Sequence, residues 1–195
     1  MSIIPPGEKE EKTMENEGTG TTETGRLIGD LSNLDIAVRR AAVRRLGTIG
    51  EPSVYPLIRA MHENNDPDFR WYAASALVPV GEPVVEPLIH AMGDDPDPGF
   101  RKYAAAVLGQ IGEVAVDPLI GAFPRGDKEM REFIALALCR IGKPAILPLQ
   151  QLLHDKDAEM RSCAELVLWK MGEPGVHALV DEYNPAFAGK DDPET

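Results

Sequence analysis

The sequence predicts an all-α solenoid of five helical hairpins behind a short capping helix. Four columns of residues predict it. An arginine recurs at Arg39, Arg70, Arg101, Arg131 and Arg161, at spacings of 31, 31, 30 and 30 residues. Four residues before each stands an aspartate: Asp35, Asp66, Asp97, Asp127 and Asp157. Eleven after each stands a glycine (Gly50, Gly81, Gly112, Gly142, Gly172), and eighteen after each a leucine (Leu57, Leu88, Leu119, Leu149, Leu179). Self-similarity at a fixed period of roughly 20–50 residues is the mark of stacked-repeat architectures.

Each column has a local physical meaning. The aspartate stands where a helix N-cap belongs, accepting from the first free backbone N–H groups. Pro67 and Pro98 follow at the first helical position, where a missing N–H costs nothing. Asp68, Glu129 and Glu159 suit the positive end of the helix dipole. The glycine is expected to end the first helix in the left-handed conformation. Pro52, Pro83, Pro144 and Pro174 then open the second helix. The leucine is preceded by proline in four copies (Pro56, Pro87, Pro118, Pro148) and by Ala178 in the fifth.

Apolar residues follow the same register. In the first helix of each repeat Val38, Ala42, Leu46 and Ile49 recur as Phe69, Ala73, Leu77 and Val80, then as Phe100, Ala104, Leu108 and Ile111. The fourth and fifth copies read Met130, Ile134, Leu138, Ile141 and Met160, Ala164, Leu168, Met171. Steps of four, four and three mark one face of an α-helix. The second helix buries Val54, Leu57, Ile58 and Met61, matched by Val85, Leu88, Ile89 and Met92. One hairpin cannot bury both of its apolar edges, so the repeats must stack.

The repeats run over 35–64, 66–94, 97–125, 127–155 and 157–184. Leu27, Ile28 and Leu31 place a lone capping helix over 22–33, so the repeat domain spans 22–184. Asp181, Glu182 and Tyr183 make the last helix polar, as a terminal repeat requires. Residues 1–21, rich in Glu, Gly, Thr and Pro, and residues 185–195 read as disordered tails; Phe187 is a candidate to fold back on the last helix.

Composition removes several classes of function. Formal net charge is −12 and the pI is near 4.8, so no nucleic-acid partner is expected, since phosphate binding needs a basic face. Arg39, Arg40, Arg44 and Arg45 form the one early basic cluster. No apolar run is long enough for a membrane span, and the first residues lack the pattern of a signal peptide. The expected location is cytoplasmic. Cys139 and Cys163 are the two cysteines; they occupy different positions of their repeats and are expected to be reduced thiols. No phosphate loop, nucleophile elbow or His-Glu-x-x-His is present, so the chain is expected to be no enzyme and to need no cofactor.

The pattern Asp-x-x-φ-Arg-x-x-Ala-x-x-x-Leu-x-x-Ile-Gly, followed by Pro-Leu-Ile, resembles the HEAT-like repeats of phycobilisome bilin lyases over about residues 22–183. The resemblance implies a right-handed superhelix, with first helices on the convex side and second helices on the concave side. It also implies polar ladders of aspartate and arginine between adjacent repeats. Proteins of this build include scaffolds, bilin lyase subunits, chromophore-detaching proteins and deoxyhypusine hydroxylase. The last needs His-Glu pairs on its first helices, where this chain reads Arg39-Arg40, Arg70-Trp71, Arg101-Lys102, Arg131-Glu132 and Arg161-Ser162. A tetrapyrrole-handling role is implied by the resemblance alone.

Two surfaces are candidates for binding. The second helices carry a polar stripe: Tyr55, Arg59 and His62, then Glu86 and His90, Asp117 and Gly121, Leu147, Gln151 and His154, and His177 and Asp181. All four histidines of the chain lie in it. No helix pairs histidines at i and i+4, so no metal site is expected. The stripe is the expected partner-binding groove, for another protein. The second surface is an apolar patch at Leu136, Cys139, Leu166 and Trp169 on the first helices, suited to docking or self-assembly; a monomer is the expectation. Trp71, flanked by Tyr72, Tyr103 and Phe133, is expected to pack between repeats.

Overall fold

The computed structural model describes residues 23–183. The expected tails, 1–21 and 185–195, and Phe187 lie outside the described residues. Eleven α-helices and no strand occur among the described residues, which fall into two compact units, one through Val80 and one from Gly81 onward. The expected all-α repeat solenoid is what is found.

The first unit holds α1 (23–30), α2 (Ile36–Ile49), α3 (Val54–Glu63) and α4 (Pro67–Leu77). Helix α1 buries Thr24 and Leu27, with Leu31 just beyond it, and Glu23 accepts a 2.8 Å hydrogen bond from Arg45 of α2. The capping helix is therefore real, but shorter than the 22–33 expected. Both α2 and α3 pack on α4. Gly47 makes room on α2, since a Cβ there would meet Pro79 at 2.6 Å. Pro79 lacks the N–H that would continue α4, and the helix tightens into a 3-10 turn at Val78–Val80.

The second unit holds α5 (Val85–Asp94), α6 (Pro98–Ile111), α7 (Val116–Ala122), α8 (Lys128–Ile141), α9 (Lys143–Leu152), α10 (Ala158–Lys170) and α11 (Glu173–Tyr183). First helices pack in sequence, α6 on α8 and α8 on α10. Second helices do the same, α5 on α7, α7 on α9 and α9 on α11. The core is the expected one: Phe100, Ala104, Leu108, Ile134, Leu138, Ala164 and Leu168 are buried on the first helices, and Val85, Leu88, Ile89 and Met92 on α5.

All five aspartates cap, each accepting a backbone N–H of the first turn. The five glycines have φ between 73° and 87°. Their conformation differs from the left-handed helical one expected, because ψ lies between −132° and −140° at Gly50, Gly81, Gly112 and Gly142. That region is nearly closed to any residue with a Cβ. The chain turns there straight toward the second helix. In the first three repeats the turn continues as a 3-10 segment, at Glu51–Ser53, Glu82–Val84 and Glu113–Ala115. Pro52 and Pro83 thus open a 3-10 turn, whereas Pro144 and Pro174 open an α-helix as expected.

The arginine column does two jobs. Its first is to close the preceding second helix. Nε of Arg70 donates to the carbonyls of Met61 and Asn64, and Nε of Arg101 to those of Met92 and Asp95. Arg131 reaches Phe123 O and Pro124 O, and Arg161 reaches Asp155 O and Lys156 O. A helix leaves its last carbonyls without partners, so a buried cation there is doubly favourable. The second job is to reach the next repeat, and the pair Arg101–Asp127 is one rung of the expected aspartate–arginine ladder. Arg101, only 2% exposed, grips Asp127 with both terminal nitrogens at 2.8 and 2.9 Å and reaches Glu129 at 3.3 Å. Arg131 pairs likewise with Glu159. Arg39 has only the capping helix before it; its guanidinium lies 4.8 Å from the Tyr72 ring centre instead, and its Nε finds no partner.

Candidate functional site

The second helices owe their exposed stripe to their pitch. Residues 57, 58 and 61 of α3 face the core, so 55, 59 and 62 face away. Tyr55, Arg59 and His62 are all exposed, and Arg59 donates to Glu63 one turn on at 2.7 Å. This trio belongs to the first unit.

In the second unit the same offsets place Glu86 and His90 on α5, Asp117 and Gly121 on α7, Leu147, Gln151 and His154 on α9, and His177 and Asp181 on α11. Every one of these side chains is exposed. Because the four helices pack in sequence, they form one row across neighbouring helices. His154 Nε2 lies 2.7 Å from Glu182 of α11, and Gln150 donates to Ala178 O at 3.2 Å beneath the row. The row carries Glu86, Asp117 and Asp181 but no lysine or arginine. It can accept and donate hydrogen bonds through its imidazoles and amide, and it attracts positive charge. Among the described residues no group of three His, Cys, Asp or Glu is placed to hold a metal ion.

The apolar patch divides. Leu136 and Leu166 are exposed, as expected, on the outer side of α8 and α10. Cys139 is half-buried beside them, with its Sγ donating to Val167 O of α10 at 3.8 Å. Trp169 is 67% exposed on α10. Trp71 also departs from expectation. It stands 56% exposed, edge-on to Tyr72 at 4.9 Å.

An open cleft of about 450 Å³ runs between α8 and α10, walled by Phe123, Arg131, Ala135, Cys163 and Leu166. Sequence reading missed it, because it lies where two helices part rather than along one helix face. Cys163 lies buried in its wall, and burial pushes its thiol up to about 12. Burial raises the Cys139 thiol as well. Both shifts disfavour the thiolate, the reactive form of a cysteine. Of the early arginine cluster, Arg39 stacks on Tyr72 and Arg45 binds Glu23, while Arg40 and Arg44 stand exposed. No helix among the described residues is long and apolar enough to cross a membrane.

Two crystal structures of engineered proteins from the Northeast Structural Genomics Consortium are similar. One is 17% identical, covers 87% of this chain and 92% of that chain, and has a TM-score of 0.32. The other is 19% identical, covers 87% and 90%, and has a TM-score of 0.33. No curated protein matches the chain. The family model for HEAT repeats matches residues 27–109 and 56–126, just over half of the sequence together. With its capped hairpins and stacked repeats, the chain belongs to the HEAT-repeat family.

Proposed function

We propose that this chain is a binding module for another protein and that the row on α5, α7, α9 and α11 meets the partner. One observation carries the reading: Glu86, His90, Asp117, Gln151, His154, His177 and Asp181 are exposed side by side on four consecutively packed helices. Repeat proteins bind through such extended surfaces, and a row of carboxylates and imidazoles suits a partner rich in hydrogen-bond donors. Tyr55, Arg59 and His62 are the matching surface of the first unit. The same proposal takes residues 22–184 as one repeat domain and the protein as a monomer of the cytoplasm that uses no cofactor.

A bilin-handling role ranks below this one. A flat tetrapyrrole needs an aromatic-lined slot, and Phe123 is the one aromatic wall of the α8–α10 cleft. The test of the leading proposal starts from a partner captured on the tagged full chain and identified by mass spectrometry. The paired change His90→Glu with Asp117→Lys should weaken that partner by about tenfold or more, as loss of central contacts does. An unchanged affinity refutes the row as the binding surface.

A further inference from the structure

The side of α10 and α11 turned away from α8 and α9 breaks the rules of the repeats before it. Five columns show this. Position 22 after the register arginine is Met92, Phe123 and Leu153 in the earlier repeats of this unit, all buried. In the fifth it is Tyr183, 64% exposed. Position four is Ala105 and Ala135, both buried, and then exposed Glu165. Position eight is Gly109 and Cys139, then exposed Trp169. Position 19 is buried Ile89 and half-buried Ile120 and Gln150, then exposed Val180. The register arginine itself, Arg161, bonds only to backbone carbonyls among the described residues, whereas Arg101 and Arg131 also hold carboxylates of the next repeat.

The small residues at positions four and eight are what let the next first helix approach. A Cβ on Gly109 would meet the Arg140 side chain of α8 at 2.8 Å. Glu165 and Trp169 fill those two positions on α10. The face is therefore not shaped for another helix of the same kind. It offers instead two exposed aromatic rings beside carboxylates. The Tyr183 hydroxyl donates to Glu165 at 2.7 Å, which fixes the ring, and Glu173 stands exposed on α11.

We infer that the face formed by Glu165, Trp169, Val180 and Tyr183 docks a basic, arginine-bearing segment of a partner protein. Charge complementarity selects that occupant. Among the described residues, exposed Glu165 and Glu173 outnumber the cation of the face, Arg161, whose guanidinium already serves two carbonyls. A second copy of a chain with formal net charge −12 is repelled over the same distance. An arginine placed over Trp169 gains a cation–π contact and a carboxylate together, and Val180 takes an apolar neighbour. Tryptophan and tyrosine are the residues most enriched where binding energy concentrates. This surface is separate from the row on the second helices and stands or falls without it.

The test uses the two tryptophans as probe and control. An amidated Leu-Arg repeat peptide is titrated into the isotope-labelled full chain, and the indole N–H signals of Trp71 and Trp169 are followed. The Trp169 signal should move and saturate while Trp71 stays still, and Glu165→Gln should weaken binding by about tenfold. Parallel movement of both indoles, or a shift without saturation, means nonspecific attraction and overturns the inference. Movement of Trp169 with protein concentration alone overturns it in favour of a second copy. Binding confined to a chain ending at Tyr183 overturns it in favour of residues 184–195.

Discussion

Arg101 shows how much one residue of a repeat can hold. It is buried, it satisfies the carbonyls that end α5, and it grips the aspartate that starts α8. Arg101→Ala leaves those buried groups unpaired and should cost about 3 kcal/mol, the range for breaking a buried charged network. Arg161→Ala, which removes only two carbonyl contacts, should cost less, and chemical denaturation compares the two. The same pair sets a pH dependence. Hydrogen bonds from Arg101, and then the Met130 N–H, hold the Asp127 carboxyl below its ordinary 3.8. A depressed carboxyl stabilises the fold above its ordinary value and loses that contribution as pH falls below it. Asp127→Asn should flatten the acid limb of the stability curve; an unaltered limb contradicts the account. The two thiols give a further residue-scale test. With both raised by burial, Cys163 to about 12, a disulfide reagent at pH 8 should label the folded chain slowly and the unfolded chain at once.

At the scale of elements, the glycines that end the first helices separate backbone demand from space. A side chain on Gly142 meets no neighbour, yet its φ of 75° with ψ of −132° excludes one. Gly142→Ala should cost about 1–3 kcal/mol. Gly121, also free of neighbours but inside α7, should gain up to about 1 kcal/mol on the same change. Equal effects at the two sites would contradict the conformational argument. The elements were largely legible in the sequence, because aspartate caps, glycine stops and steps of four and three are local codes. Three features were not. The glycine ψ and the 3-10 turns at Glu51, Glu82 and Glu113 depend on how tightly each hairpin closes. The exposure of Trp71 and the half-burial of Cys139 depend on neighbouring helices, which helical periodicity alone does not place. The short α1, ending at 30, reflects a turn that apolar spacing cannot locate.

For the whole molecule, repetition makes departures informative. A column that is apolar and buried in four repeats, at Met61, Met92, Phe123 and Leu153, is exposed in the fifth at Tyr183. The stripe was legible residue by residue, since all of its members are exposed on second helices. Its continuity over α5, α7, α9 and α11 needed the packing order of those helices. The partner was not legible, because a solvated polar face and a binding face share one composition until something occupies it.

A partner protein lying across the second helices shields their exposed row from solvent. Hydroxyl-radical footprinting of the full chain with its captured partner reads this shielding directly, because imidazole and indole side chains are both oxidised readily. His90, His154 and His177 should be protected together on partner binding. Unchanged oxidation at those histidines, with the protection confined to Leu136, Leu166 or Trp169, would contradict that placement of the partner.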